Sequence, residues 1–305
     1  MILAAGLGTR MRPLSSLRPK PVLPVRGIPL LAWPLAWLAE QGVREVIVNL
    51  HHLPQATRAA AERWAPPGLT VHFSEEPALL GTGGGIRRAA RFLRESDPSL
   101  VLAGDAIFDF ALAPLLARHR ARRDAVTLVL REDPRAERFG TIGIDAEGRV
   151  RRIARRFDLG GEVREGVYVS VNLIAARAFD TLPEREVFVH LDDWIAPRLR
   201  AGADDLRAER LDAEACTWVP VGTPAEYLAA NLRPTPVGYF DADAQARSLG
   251  VRLEPDLVVG AGAELAAGAE LRRAVVWDGE RVPAGLRATG GVFAGGGFHA
   301  CEEAP

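Results

Sequence analysis

Residues 3–20 run Leu3-Ala-Ala-Gly-Leu-Gly-Thr-Arg10-Met-Arg-Pro13 … Arg18-Pro-Lys20. A short apolar strand, Met1 to Ala4, feeds a turn built on Gly6 and Gly8. The missing Cβ atoms let backbone N–H groups come close to phosphate oxygens. Arg10 offers a forked donor for outer phosphates, and Lys20 a compact point charge. Lys20 is the only lysine among 38 basic residues, the other 37 being arginine. A lysine kept where arginine fills every other basic position marks a place that a planar guanidinium does not suit. A dinucleotide fingerprint needs a third glycine at position 11, where Met11 stands, and a Walker A loop needs Gly-Lys-Ser/Thr, which is absent.

Outward from this turn, apolar β-rich runs alternate with helical patterns. Residues 45–50, 70–74, 100–103 and 125–130 read as strands, and 30–41, 82–95 and 112–122 as helices. The alternation predicts an α/β fold: a Rossmann-like, mostly parallel sheet with helices on both faces. Ligands in such sheets sit at the carboxyl ends of the strands, where the Gly6–Gly8 turn lies. After Asp133 the strands shorten, to 141–144, 150–153 and 167–173. Trp33 and Trp37 fit an i, i+4 core stripe. Asp105 ends the strand Leu100-Val-Leu-Ala-Gly-Asp105, placed to hold a divalent cation against phosphates. Asp109 reads as a helix N-cap.

Residues 3–20 resemble the signature of the sugar-1-phosphate nucleotidyltransferases, the NDP-sugar pyrophosphorylases. That pattern runs Leu-Ala-Gly-Gly-x-Gly-Thr-Arg-x-x-Pro … Pro-Lys, and this chain matches it save for Ala5 in place of a glycine. The resemblance implies transfer of a nucleotidyl group from an NTP to a sugar 1-phosphate with release of pyrophosphate and with Mg²⁺ as cofactor. It assigns Ala4, Ala5, Gly6, Gly8, Thr9 and Arg10 to the nucleotide, and Arg10 and Lys20 to catalysis. Glu76-Pro-Ala-Leu-Leu-Gly81-Thr82-Gly83-Gly84-Gly85 corresponds to the family's nucleobase segment, giving Gly81, Thr82 and Gly83. Asp105 matches the family's metal-binding Gly-Asp motif. Gly140 and Ser170 fall on the sugar side.

The chain departs from that pattern in two places. Trp218-Val-Pro220-Val-Gly222-Thr-Pro224 carries Pro220 where the family places a second metal aspartate. The Glu-Lys-Pro motif of the sugar side is absent, with Arg155-Arg156-Phe157 near its place. Asp192 and Asp193 read as a surface acidic pair, and His51-His52 as polar surface. Two acceptors stay open: mannose 1-phosphate with GTP, suggested by the C-terminal repeat described below, and N-acetylmuramate 1-phosphate with UTP, suggested by the triple glycine and the absent Glu-Lys-Pro. A non-catalytic subunit that binds nucleotide is the reading from another class, and Pro220 supports it.

Residues 1–232 form the expected nucleotidyltransferase domain and 233–250, opening on Arg-Pro-Thr-Pro, a linker. Beyond it Val259, Leu265 and Leu271 recur every six residues with glycine and alanine between, the period of a hexapeptide β-helix. Residues 251–305 are therefore expected to form a short left-handed β-helix whose exposed ends call for capping or for joining copies into a homo-oligomer, the latter being the preferred reading. Net charge is −1, which gives no footprint for nucleic acid or an anionic membrane. Cys216 and Cys301 fit neither a disulfide framework nor a zinc site. No run of 18 apolar residues and no signal peptide is evident, so a cytoplasmic enzyme is expected.

Overall fold

The computed structural model describes residues 1–301, so that 302–305 of the expected C-terminal segment lie outside it. A ten-stranded sheet organises the first 211 residues. Its parallel half runs in the order Ser99–Ala103, Ile2–Leu3, Glu45–Leu50, Thr70–Glu75. The other half turns on the long strand Arg164–Ile174, which pairs antiparallel with Ser99–Ala103, Val126–Arg131 and Ile142–Ile144.

Both faces of the sheet are buried, which is why its strands read as continuous apolar runs. Side chains alternate between faces along a strand. Val101, Leu128 and Leu130 pack with Ile86, Ala89 and Leu93 of the helix Gly81–Leu93. Their neighbours Leu102 and Val129 pack on the opposite face with Leu35, Trp37 and Leu38 of the helix Ala32–Glu40. Trp33, by contrast, points to a third cluster. One further helix, Pro54–Trp64, escapes the pattern because it buries only Thr57 and Ala61, too thin a stripe to stand out.

The expected linker is folded. Asp241 caps the helix Ala242–Ser248 through the N–H groups of Asp243 and Ala244, both at 3.0 Å. Phe240 lies 4.8 Å from Trp33, and Asp243 pairs with the buried Arg26 at 2.7 Å. Polar composition there reflects an N-capped helix rather than loose chain.

The C-terminal segment is wound into stacked coils, as a β-helix is. Leu257–Val259, Glu270–Val276 and Arg287–Ala294 stack in parallel, with partners Leu257, Ala274 and Gly291. Successive coils are therefore 17 residues apart, one residue short of three hexapeptides. Val259, Leu265 and Leu271 all point into one apolar cluster. The exposed ends expected from the repeat are covered on this face, since Arg252–Leu253 and Gly297–Ala300 pair antiparallel with the outer strands. Val258, Val275, Trp277 and Val292 share a core with Met11, Leu14, Leu23 and Tyr227, so the coils pack against the back of the signature turn.

Candidate active site

A cleft of about 390 Å³ opens at the carboxyl ends of the central strands. Its first wall is the signature. The Ala4 N–H donates to Asn49 Oδ1 at 2.6 Å, fixing the strand end where the turn begins. Gly8 takes φ +62°, and a Cβ there would lie 3.1 Å from Ser15 and 3.3 Å from Lys20. Ser15 donates to the Gly8 carbonyl at 2.7 Å and locks the turn. Met11, at the place of the missing third glycine, is wholly buried and anchors the turn to the core beneath.

Lys20 reaches Asp105 at 2.6 Å, its side chain only 11% exposed against 41% for Asp105. A lone ammonium in so covered a place would be costly, and the carboxylate offsets that. The pair sits at the end of the strand Ser99–Ala103, beside the turn that would hold phosphates. The Val221 N–H donates to the Asp105 carbonyl at 2.9 Å, and Pro220 pairs with Ala106, so the segment bearing Pro220 runs alongside Asp105. Among the described residues no group of three acidic, histidine or cysteine side chains gathers as a cation cage. Asp105 still fits a divalent ion, because Mg²⁺ commonly takes one or two carboxylates and completes its shell with substrate phosphates and water.

Ala4, Ala5, Gly6, Gly8, Thr9, Arg10, Lys20, Gly81, Thr82, Asp105 and Ser170 all line the cleft, as expected. Gly83 and Gly140 do not. The Gly83 N–H donates to the Phe188 carbonyl at 2.9 Å, and a Cβ there would run into the Phe188 ring at 2.2 Å. Gly84 gives way likewise to the Glu186 carbonyl at 2.2 Å, and Gly85 to Glu76 and Asn49 at 2.8 and 2.9 Å. The triple glycine thus answers packing of the helix against its neighbours. Gly140, at φ +74°, terminates the short helix Ala136–Phe139 and donates to the Ala136 carbonyl at 2.8 Å.

Other expectations resolve plainly. Asp109 is no N-cap but lies in a strand, accepting from the Gly238 N–H at 2.6 Å. Asp192 pairs with Arg156 and Asp193 with Arg185, outside the cleft lining. None of Arg155, Arg156 and Phe157 lines the cleft. His51 bonds the Glu76 carbonyl at 2.9 Å.

Sequence reasoning missed Asn49, Glu76, Tyr168, Asn172 and His190, which also line the cleft. Asn49 donates to Glu76 at 2.7 Å while accepting from Ala4, and Glu76 accepts the Leu80 N–H at 3.2 Å. One amide thereby links the signature turn to the Gly81 loop. A polar residue near the end of Val-Ile-Val-Asn-Leu was its only signal. Tyr168 and Asn172 flank a register shift in the long strand, with Ser170 inside it at φ +59°. Such a bulge bends the strand and re-aims side chains, and nothing in local composition announces it.

The nucleotidyl transferase family model matches residues 1–235. The chain belongs to the nucleotidyl transferase family. A mannose-1-phosphate guanylyltransferase of Mycobacterium tuberculosis is 35% identical over 93% of this nucleotidyl transferase and 81% of its own length. The catalytic subunit beta of mannose-1-phosphate guanylyltransferase from Dictyostelium discoideum is 27% identical over 75% of the chain, which spans only 62% of that relative. Among solved structures, HddC from Yersinia pseudotuberculosis, crystallised with GMP-PN, superposes with a TM-score of 0.63 at 23% identity, over 75% of this chain and 96% of its own. That likeness supports the fold alone.

Proposed function

We propose that this nucleotidyl transferase moves GMP from GTP to mannose 1-phosphate. The carrying observation is the 35% identity to the mycobacterial guanylyltransferase, which extends over 93% of the chain and therefore into the coils. A phosphate oxygen of the sugar 1-phosphate attacks the α-phosphorus in line. The bond from that phosphorus to the bridging oxygen breaks, and pyrophosphate leaves with the electron pair. Positioning and charge neutralisation carry such transfers. Gly6, Gly8 and Thr9 seat the triphosphate, Arg10 steadies the departing pyrophosphate, and Lys20 lies against the reacting phosphates. Asp105 would hold Mg²⁺, which would neutralise phosphate charge when bound. Ser170 and Tyr168 lie on the acceptor side. Each glycine of the triple run has a packing reason, so the uridylyl alternative keeps only the absent Glu-Lys-Pro in its favour.

Residues 1–232 carry the reaction in this reading, 233–250 strap the domains together, and 251–305 join copies of the chain. No described helix is long and apolar enough to cross a membrane. An enzyme that spends nucleoside triphosphate is placed in the cytoplasm. Pyrophosphate release with a panel of NTPs and sugar 1-phosphates tests the proposal. GTP with mannose 1-phosphate should be the preferred pair, and a clear preference for UTP or another sugar would overturn it.

A further inference from the structure

Three of the polar residues that sequence reasoning missed, Asn172, Tyr168 and His190, form with Thr82 a single chain of hydrogen bonds across the cleft. Asn172 Nδ2 donates to the Val101 carbonyl at 3.2 Å. A carbonyl oxygen only accepts, which fixes the amide orientation and turns Oδ1 toward Tyr168. The Tyr168 hydroxyl must then donate to Asn172 Oδ1, at 2.7 Å. Its one proton being committed, it accepts from His190 Nε2 at 3.1 Å, and that nitrogen carries a hydrogen. Burial pushes the His190 pKa down to about 4, offset only partly by Asp192, so the ring is neutral near pH 7. Nδ1 is consequently bare, and the Thr82 hydroxyl donates to it at 2.8 Å. The His190 backbone N–H also donates to Thr82 Oγ1, at 3.2 Å.

We propose that His190 is a positioning residue that joins the two substrate subsites, Nδ1 holding the nucleotide-side Thr82 and Nε2 holding the sugar-side Tyr168. The inference rests on the nucleotide and sugar assignments of the proposed reaction. Thr82 sits in the first turn of the helix Gly81–Leu93, and Tyr168 at the edge of the bulge. Among the described residues neither side chain is hydrogen-bonded to the other's element except through this ring. His190 itself is 7% exposed and is held in a π-helical turn, His190–Ile195. With its hydroxyl proton given to His190, Thr82 faces the cleft as an acceptor. Tyr168 is held upright by two bonds, its ring forming part of the acceptor-side wall.

Two conservative replacements separate the nitrogens. An Asn amide reaches the place of Nδ1 but not Nε2, and a Gln amide reaches the place of Nε2 but not Nδ1. Dissociation constants for GTP and for mannose 1-phosphate, measured separately by calorimetry, read each side. His190→Asn should weaken mannose 1-phosphate by about 3- to 10-fold, the scale of one lost neutral hydrogen bond, and leave GTP within about twofold. His190→Gln should do the reverse. Equal losses in both variants, or none, would mean that His190 only fills space. Thr82→Val and Tyr168→Phe keep shape and guard against misfolding of the histidine variants. Each should weaken its own ligand, and their effects on turnover should be non-additive because one ring serves both hydroxyls. Additive effects would overturn the link. Should the wild type bind neither ligand, the substrate assignment fails first. Should it bind both while the crossed pattern is missing, the His190 inference fails alone.

Discussion

The two walls of the cleft are assembled differently. Gly6, Gly8, Thr9, Arg10 and Lys20 come from one stretch of chain, and local turn geometry sets most of their positions. Thr82, Tyr168, Asn172 and His190 come from a helix start, a bulged strand and a π-helical turn, and they meet only once the sheet has formed. The first wall presents cations and backbone N–H groups, which suit phosphate of any nucleotide. The second presents neutral hydrogen-bonding groups in a fixed order, which suit one particular pair of ligands. In the proposed reading chemistry falls to the first wall and specificity to the second, and changes to the two should fail in different ways.

A large loss of turnover is expected on the first wall. Lys20→Arg puts a wide planar group where Nζ meets Asp105 at 2.6 Å. Displacing the reacting phosphates by about 1 Å can cost about 10²-fold. kcat/KM should fall by that order with little change in melting temperature. A near-normal value would reduce Lys20 to an accident of composition.

Next comes the support behind that wall. The Trp277 indole donates to Tyr227 Oη at 3.0 Å, and Tyr227 donates to the Pro24 carbonyl at 2.6 Å, only four residues past Lys20. Trp277→Ala should cost about 3–5 kcal/mol in urea unfolding, as large aromatic deletions in cores do. An effect under about 1 kcal/mol would show that the coils are a detachable module. The same packing argues against a clean excision of residues 251–305. Removing them would bare Tyr227, Leu23 and Val25, which share a core with Val258 and Val275.

A smaller effect probes the glycine run. Gly83→Ala should cost about 1–3 kcal/mol by crowding Phe188, and the Phe188→Ala background should absorb much of that loss. Unchanged stability together with weakened GTP binding would return Gly83 to the nucleobase.

What was legible follows the same division. The strand–helix alternation, the turn at Gly6–Gly8, Asp105 and the C-terminal coils all rest on local pattern; the structure has the α/β sheet and the coils, and the turn and Asp105 line the cleft. Gly83 and Gly140 looked functional beside their motifs, whereas their contacts with Phe188 and the Ala136 carbonyl, which give each a structural reason, appear only in three dimensions. Tyr168 and His190 were silent because a bulge and a π-turn leave no periodic trace. The fold of 233–250 was missed because polar helices without a wide apolar face resemble linkers.

The smallest effect lies at the domain seam. Arg18 pairs with Asp278 at 2.6 Å and lies over Trp277, 4.7 Å from the ring centre. Burial would raise the Asp278 pKa, but the Arg18 bond and charge outweigh it and hold the carboxyl below its usual value. A depressed carboxylate pKa gives stability that is present above the unfolded value and lost as pH falls through the folded one. With Asp278 half exposed, Asp278→Asn should cost less than about 1 kcal/mol at pH 7. The gap from wild type should close below about pH 4, where the unfolded carboxylate protonates. A gap that stays constant with pH would remove the ion pair from the seam.

Pyrophosphate release from GTP and mannose 1-phosphate, followed across a Mg²⁺ titration, tests the one-carboxylate site most directly. Wild type, Asp105→Ala and Pro220→Asp are the three proteins to compare. Wild type should turn over with a raised Mg²⁺ requirement, Asp105→Ala should lose nearly all activity, and Pro220→Asp should reach half-maximal rate at lower Mg²⁺. A wild type silent at every Mg²⁺ concentration, with activity appearing only in Pro220→Asp, would contradict an active enzyme and leave a nucleotide-binding subunit in its place.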